Sequence, residues 1–173
     1  MRKKILIGAT ILLSLSTLYS CKSENKEEVF ITPAPKEMAT GNGHFLIKPD
    51  TRISVENETQ KKTAELFSCL IKNSSGFNIT VAENDKDASI KLITDNEIQN
   101  EGAYNLEVTP NNITIKASSD AGFYYAFQTL RLTLPAIVET ENSEGLSLEI
   151  PSMNISDAPR FEYRGLMLDV ARY

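Results

Sequence analysis

Gly102-Ala103-Tyr104-Asn105-Leu106-Glu107-Val108 and, after Pro110-Asn111-Asn112, Ile113-Thr114-Ile115-Lys116-Ala117 decide how this chain is read. In both runs apolar and polar residues alternate, the period of a strand with one buried face. A proline and two asparagines between them favour a turn, so 103–108 and 113–117 pair as a hairpin. The period then changes. Ser118-Ser119-Asp120 offers side-chain oxygens to the free amides of a helix start, and Phe123, Ala126, Phe127, Leu130 and Leu134 fall on one helical face. Pro135 ends that helix, because a proline disfavours helical backbone at the residue before it. A hairpin followed by an amphipathic helix implies a sheet with a helix packed on it.

Working outward, the same two periods recur. Residues 45–47 and 51–55 read as short strands around a Pro49-Asp50 turn, and 77–81 and 89–93 as two more. Residues 57–73 have helical period, with Ala64, Phe67 and Ile71 on one stripe and Leu66 and Leu70 beside it. Asn73-Ser74-Ser75-Gly76 supplies the stop, with Gly76 suited to a left-handed conformation. Residues 146–150 read as a last short strand before Pro151, and the alternating prolines of Thr32-Pro33-Ala34-Pro35 predict extended chain. The expected fold class is α+β, a β-sheet with two main helices on one face.

The first 21 residues read as an address. Arg2-Lys3-Lys4 precedes an apolar run over 5–18, which is short for a membrane span and within the range of a secretion signal. It closes on Leu18-Tyr19-Ser20-Cys21, which resembles the lipobox of bacterial lipoproteins, with Tyr19 bulkier than usual there. The resemblance implies removal of residues 1–20 and acylation of Cys21, whose thiolate is the nucleophile such a reaction needs. Two or more acyl chains anchor stably where one does not. The implied location is the bacterial cell envelope, at the outer membrane. Residues 22–28 are charged or polar and have no apolar member, so residues 21–30 are expected to act as an acidic tether. Cys69 then has no disulfide partner, and its neighbours Leu66, Phe67, Leu70 and Ile71 predict a buried thiol.

Net charge is −5, and removing residues 1–20 takes away three cations and no acid, leaving −8. Such a body repels phosphate backbones, so nucleic acid is not an expected partner. Chemistry-bearing patterns are few. His44 stands alone, and there is no HExxH or CxxC pair to hold a metal. Phe123, Tyr124, Tyr125 and Phe127 admit a sugar-stacking reading, but their helical spacing favours a core role.

Two stretches carry a family resemblance. Gly102-Ala103-Tyr104-Asn105-Leu106 through Ile113-Thr114-Ile115-Lys116-Ala117, running into Asp120-Ala121-Gly122-Phe123-Tyr124-Tyr125-Ala126-Phe127-Gln128-Thr129-Leu130, is similar to the N-terminal, zincin-like domain of glycoside hydrolase family 20, the β-N-acetylhexosaminidases. Tyr125 stands where the family usually has glycine. Asp157-Ala158-Pro159-Arg160-Phe161-Glu162-Tyr163-Arg164-Gly165-Leu166-Met167-Leu168-Asp169-Val170-Ala171-Arg172 resembles the segment that opens the family's catalytic barrel, although Tyr173 replaces the usual histidine. The resemblance divides the chain into a signal (1–20), a tether (21–30), an N-terminal domain (31–156) and the first strand of an incomplete (β/α)8 barrel (157–173).

It further implies a parent enzyme that removes terminal β-linked N-acetylglucosamine or N-acetylgalactosamine with retention and without a cofactor. The substrate's own acetamido oxygen attacks the anomeric carbon, an Asp orients it, and the adjacent Glu protonates the leaving oxygen. That acid must be poised near working pH. No such Asp-Glu pair follows Arg172, so no catalytic residue is expected within these residues. Arg164 is the one functional position carried over, as a guanidinium fork for hydroxyls of the terminal sugar. A strand-start ion pair is its structural alternative, and Asp169 is read as structural. The implied partners are a glycan with terminal N-acetylhexosamine, the bilayer through acylated Cys21, and the catalytic barrel. A lipid-anchored module that docks glycan or a partner without hydrolysis is the competing function. Another sugar hydrolase sharing the N-terminal domain is a third, disfavoured by Arg164-Gly165-Leu166-Met167-Leu168-Asp169.

Overall fold

The computed structural model describes residues 29–140, 145, 147–161, 163 and 165–168. Its elements are β1 (Glu37–Ile47), β2 (Arg52–Val55), α1 (Glu58–Ser75), β3 (Thr80–Glu83), β4 (Ile90–Thr94), β5 (Tyr104–Val108), β6 (Ile113–Ala117), α2 (Asp120–Thr133), a 3-10 turn (Ala136–Glu139) and β7 (Leu148–Asp157). The strands form one seven-stranded mixed sheet in the order β1-β7-β5-β6-β4-β2-β3. β3, β2, β4 and β6 pair in parallel, whereas β5 is antiparallel to both β6 and β7, and β1 to β7. Parallel neighbours cannot be joined by a tight turn, so each helix crosses the sheet. α1 links β2 to β3, and α2 carries the chain over β5 from β6 to β7. The fold is thus α+β, with two helices packed on the sheet and on each other.

Burial follows the alternation. In β5, Tyr104, Leu106 and Val108 are buried while Asn105 and Glu107 face solvent, and β6 repeats the pattern with Ile113, Ile115 and Ala117 buried. From α2, Phe123, Ala126, Phe127 and Leu130 enter this core. Phe67 of α1 stacks on Phe127 of α2 at 4.9 Å between centroids, which joins the helices. Each fully buried aromatic or aliphatic side chain of this kind contributes roughly 1.5–3 kcal/mol.

Helix ends match the sequence. Asn57 caps α1 by accepting from the amides of Thr59 (3.1 Å) and Gln60 (2.9 Å), and Gly76 closes it at φ 76°. Ser119 caps α2 through Gly122 N, and Leu134 is extended ahead of Pro135. Gln60 is fully buried and ties α1 to two strand ends. Its Oε1 accepts from Glu56 N (2.7 Å) and its Nε2 donates to Thr94 Oγ1 (3.0 Å). Thr94 N in turn donates to the Glu56 carboxylate at 2.8 Å. Burial pushes that carboxyl up, but the hydrogen bonds from Thr94 and Gln60 outweigh it and hold Glu56 below its ordinary value.

Four sequence expectations need correction. The strand expected at 45–47 begins at Glu37, because the polar, glycine-containing run 37–44 is held by pairing with β7 rather than by apolar burial. Its register shifts between Thr40 and His44, where Gly43 takes φ 84°. The strand expected at 146–150 runs instead from Leu148 to Asp157, straight through Pro151. Pro151 lies past Met153, the last β7 residue paired with β5, so only β1 neighbours it and the missing N–H is tolerated. Cys69 is exposed, not buried. The buried stripe of α1 is Gln60, Ala64, Phe67, Ile71 and Ser74, and a residue two positions from Phe67 and from Ile71 falls on the opposite side of a helix. Leu66 is likewise exposed. The strand expected at 77–81 is displaced to Thr80–Glu83.

α2 sits close on the sheet because Gly122 lets it. A Cβ built there would lie 2.4 Å from Ala103 O and 2.7 Å from Ala117 Cβ, both fixed atoms. Gly122→Ala is therefore expected to destabilise the fold by about 3 kcal/mol, lowering Tm by on the order of 10 °C. A calorimetric Tm within about 2 °C of wild type would contradict this contact. A second outcome concerns Tyr104, whose Oη lies 2.6 Å from Thr129 Oγ1 inside the interface. Burial, and after it the negative charge of Asp157, push this phenol from 10 up to about 12, against the opposing hydrogen bond from Thr129. A raised folded pKa contributes stability that is complete below the unfolded value near 10 and is lost as pH rises through about 12. Wild type should therefore lose roughly 2–3 kcal/mol more than Tyr104→Phe between those limits in urea titrations. Parallel losses in the two proteins would show that the phenol is not shifted.

Candidate functional site

The chain leaves the sheet at Asp157, and the residues around that exit form the best-organised polar cluster next to the motif singled out in the sequence. Asp157 is the last residue of β7, directly opposite Tyr104 of β5 in the ladder. Its Oδ1 accepts from Lys36 N at 3.0 Å, so the carboxylate joins the end of the sheet to the segment that enters it, 121 residues away. Tyr104 faces the helices from the same register position and reaches Thr129 of α2. One carboxylate and one phenol thus connect β1, β5, β7 and α2.

The next residues are wedged. Gly102 has φ 89°, a left-handed backbone that suits glycine, and a Cβ there would lie 3.0 Å from both Pro159 Cγ and Tyr125 Cε2. Pro159 and the Tyr125 ring therefore both close on the space beside Gly102. Beside it is a hollow of about 370 Å³, lined by Ile31, Pro33 and Pro35 from the entering chain, Gln128 and Leu132 from α2, and Arg160 and Phe161 from the leaving one. Phe161, Tyr163, Leu166, Met167 and Leu168 are all exposed, the last three by 77% or more.

A second hollow, about 550 Å³, lies on the open face of the sheet over Glu37, Asn105, Glu107, Lys116 and Asn154. Its lining mixes these polar side chains with Met38, Ala39, Leu106 and Ile155 and contains no aromatic ring.

Arg164, Cys21 and Asp169 lie outside the described residues. His44 is exposed on β1. Phe123 and Phe127 are core residues, Tyr124 is partly exposed and Tyr125 is occupied by the Gly102–Pro159 contact, so the four rings do not form one platform. Sequence reading missed the roles of Asp157, Tyr104 and Gly102, although all three lie inside the two motif stretches. The available signal was a lone aromatic in an aliphatic strand and an acid just ahead of an Ala-Pro.

Residues 28–158 match the sequence profile described as glycosyl hydrolase family 20, domain 2. The chain is similar to the beta-hexosaminidase of Porphyromonas gingivalis, with 30% identity over 182 residues covering 99% of this chain and 23% of that protein. The N-acetyl-beta-hexosaminidase of Streptomyces plicatus superposes with a TM-score of 0.71 and 26% identity, over 78% of this chain and 27% of that one. The exo beta-N-acetylglucosaminidase of Vibrio harveyi gives 0.67 and 25%, over 82% of this chain and 21% of that one. The chain spans about a quarter of the length of these relatives. With most of its residues inside the profile, the chain belongs to glycosyl hydrolase family 20.

Proposed function

We propose that residues 31–156 are the non-catalytic N-terminal domain of a β-N-acetylhexosaminidase and that residues 157–173 begin its (β/α)8 barrel. The observation that carries this reading is the similarity to beta-hexosaminidases along nearly all of this chain but only about a quarter of theirs. The parent enzyme removes terminal β-linked N-acetylglucosamine or N-acetylgalactosamine from glycans, using the substrate's acetamido oxygen as the nucleophile. In this scheme the domain binds no sugar itself. It presents the strand bearing Arg164, whose fork of N–H donors holds hydroxyls of the terminal sugar. Cys21 carries the lipid that fixes the enzyme to the cell envelope.

Three measurements test the reading. The complete gene product should hydrolyse an aryl β-N-acetylglucosaminide, whereas residues 1–173 alone should not. Turnover by the purified 173-residue chain would overturn the assignment, and a complete product that binds glycan without cleaving it would favour the docking module. In the active enzyme, Arg164→Ala should lower kcat/KM by on the order of 10²-fold, since charge-assisted hydrogen bonds contribute roughly 1.5–3 kcal/mol each, and lysine should restore only part. A stable variant with near-wild-type kcat/KM would remove Arg164 from the site. Mass spectrometry of protein from native membranes should find residues 1–20 gone and Cys21 acylated; an unmodified Cys21 in the mature protein would refute the anchor.

A further inference from the structure

We infer that Asn42 is a site of spontaneous covalent modification: in the folded protein the backbone nitrogen of Gly43 cyclises onto the asparagine side chain and expels ammonia. The inference is independent of the proposed function.

The sequence contains one asparagine directly followed by glycine, at Asn42-Gly43. After every other asparagine comes a residue whose side chain crowds its own backbone nitrogen. The fold asks for this glycine. Gly43 has φ 84°, the left-handed region that suits glycine, and a Cβ there would lie 3.0 Å from Pro110 Cγ in the β5–β6 turn. The same bulge frees the asparagine. Thr40 pairs with Met153 and His44 with Pro151, so Gly41, Asn42 and Gly43 stand opposite Ser152 alone and have no ladder partners of their own. β1 is also the edge of the sheet, so no strand lies on its other side. Asn42 and Gly43 are both exposed. Ring closure requires the Asn42 side chain and the Gly43 amide to turn towards each other, a near-attack geometry that a regular ladder would forbid. Other asparagines are held more firmly. Asn57 accepts from the amides of Thr59 and Gln60, Asn105 lies in the ladder between Lys116 and Ser156, and Asn154 lies between Ala39 and Glu107.

The step balances with water as its only co-reactant. The Gly43 nitrogen gives up its proton and bonds to Asn42 Cγ, the Cγ–Nδ2 bond breaks, and ammonia leaves, closing a five-membered succinimide. Water then opens the ring. Addition at the side-chain carbonyl gives aspartate, and addition at the main-chain carbonyl gives isoaspartate, in which the backbone runs through the former side chain. Each event adds one negative charge to a chain whose net charge is already −5. Isoaspartate also lengthens the backbone by one carbon. It does so where three residues already face one, so the paired segments 37–40 and 44–47 can keep their registers.

The test follows each asparagine by peptide mass spectrometry in the purified 173-residue chain, held folded for weeks at neutral pH well below Tm, beside a synthetic peptide of residues 38–47. A mass gain of about 1 Da should accumulate at position 42 as aspartate and isoaspartate, at a rate within about tenfold of the peptide's, equivalent to about 1.4 kcal/mol of barrier. A rate that close to the peptide's cannot pass through global unfolding, because the unfolded fraction is far smaller than a tenth well below Tm. Positions 57, 105 and 154 should change more than about tenfold more slowly than position 42. Asn42→Gln should remove the gain over the same period, since its longer side chain must close a six-membered ring. Slowing of more than about tenfold relative to the peptide would show that the fold protects Asn42 and would overturn the inference. A gain at position 57, 105 or 154 within about tenfold of that at position 42, or an undiminished gain in the Asn42→Gln chain, would overturn it equally.

Discussion

β7 pairs on both sides, with β1 on one edge and β5 on the other, and this placement of the last strand conditions the rest of the molecule. Without residues 148–157, β1 has no partner and β5 loses half of its ladder. Because α2 must carry the chain across β5 to reach that slot, its apolar face is laid on the sheet by topology as much as by hydrophobicity. The close approach at Gly122 then follows, as does the stacking of Phe127 on Phe67 that brings α1 into the same layer. The insertion has a further consequence. It sets the point where the chain enters the sheet beside the point where it leaves, so that Lys36 and Asp157 can bond.

Much of this was legible wherever local chemistry decides local structure. The hairpin, the start of α2 at Ser119, the stop of α1 at Gly76, the 64/67/71 stripe and the buried face of α2 are encoded in alternation, helical period and capping residues. What could not be read was pairing that depends on a distant strand. Residues 37–44 carry few apolar side chains, and their strand exists because β7 offers a ladder. Pro151 looked like a strand end because the sequence does not say on which side its neighbour lies. Cys69 was different. The stripe at 64, 67 and 71 already placed position 69 on the outer side, so apolar neighbours in sequence were the wrong guide and the helical period the right one.

The candidate site divides in the same way. Arg164 enters the proposed function through a motif resemblance, which is read residue by residue along the chain. Asp157, Tyr104 and Gly102 act through partners 17 to 121 residues away, and no spacing along the chain announces them. Their common location is instructive. The polar anchors and the left-handed glycine gather where the sheet hands the chain on, while the open sheet face carries an ordinary solvated surface. In a chain similar to about a quarter of each relative, organisation at the exit is what a supporting domain requires.

The most direct measurement is a crystal structure of the complete gene product with N-acetylglucosamine bound. The account requires the Asp157 carboxylate on Lys36 N, Pro159 seated against Gly102, and the Arg164 guanidinium within hydrogen-bonding distance of sugar hydroxyls. A sugar bound with Arg164 turned away, or an exit segment that leaves the sheet by another path, would contradict it.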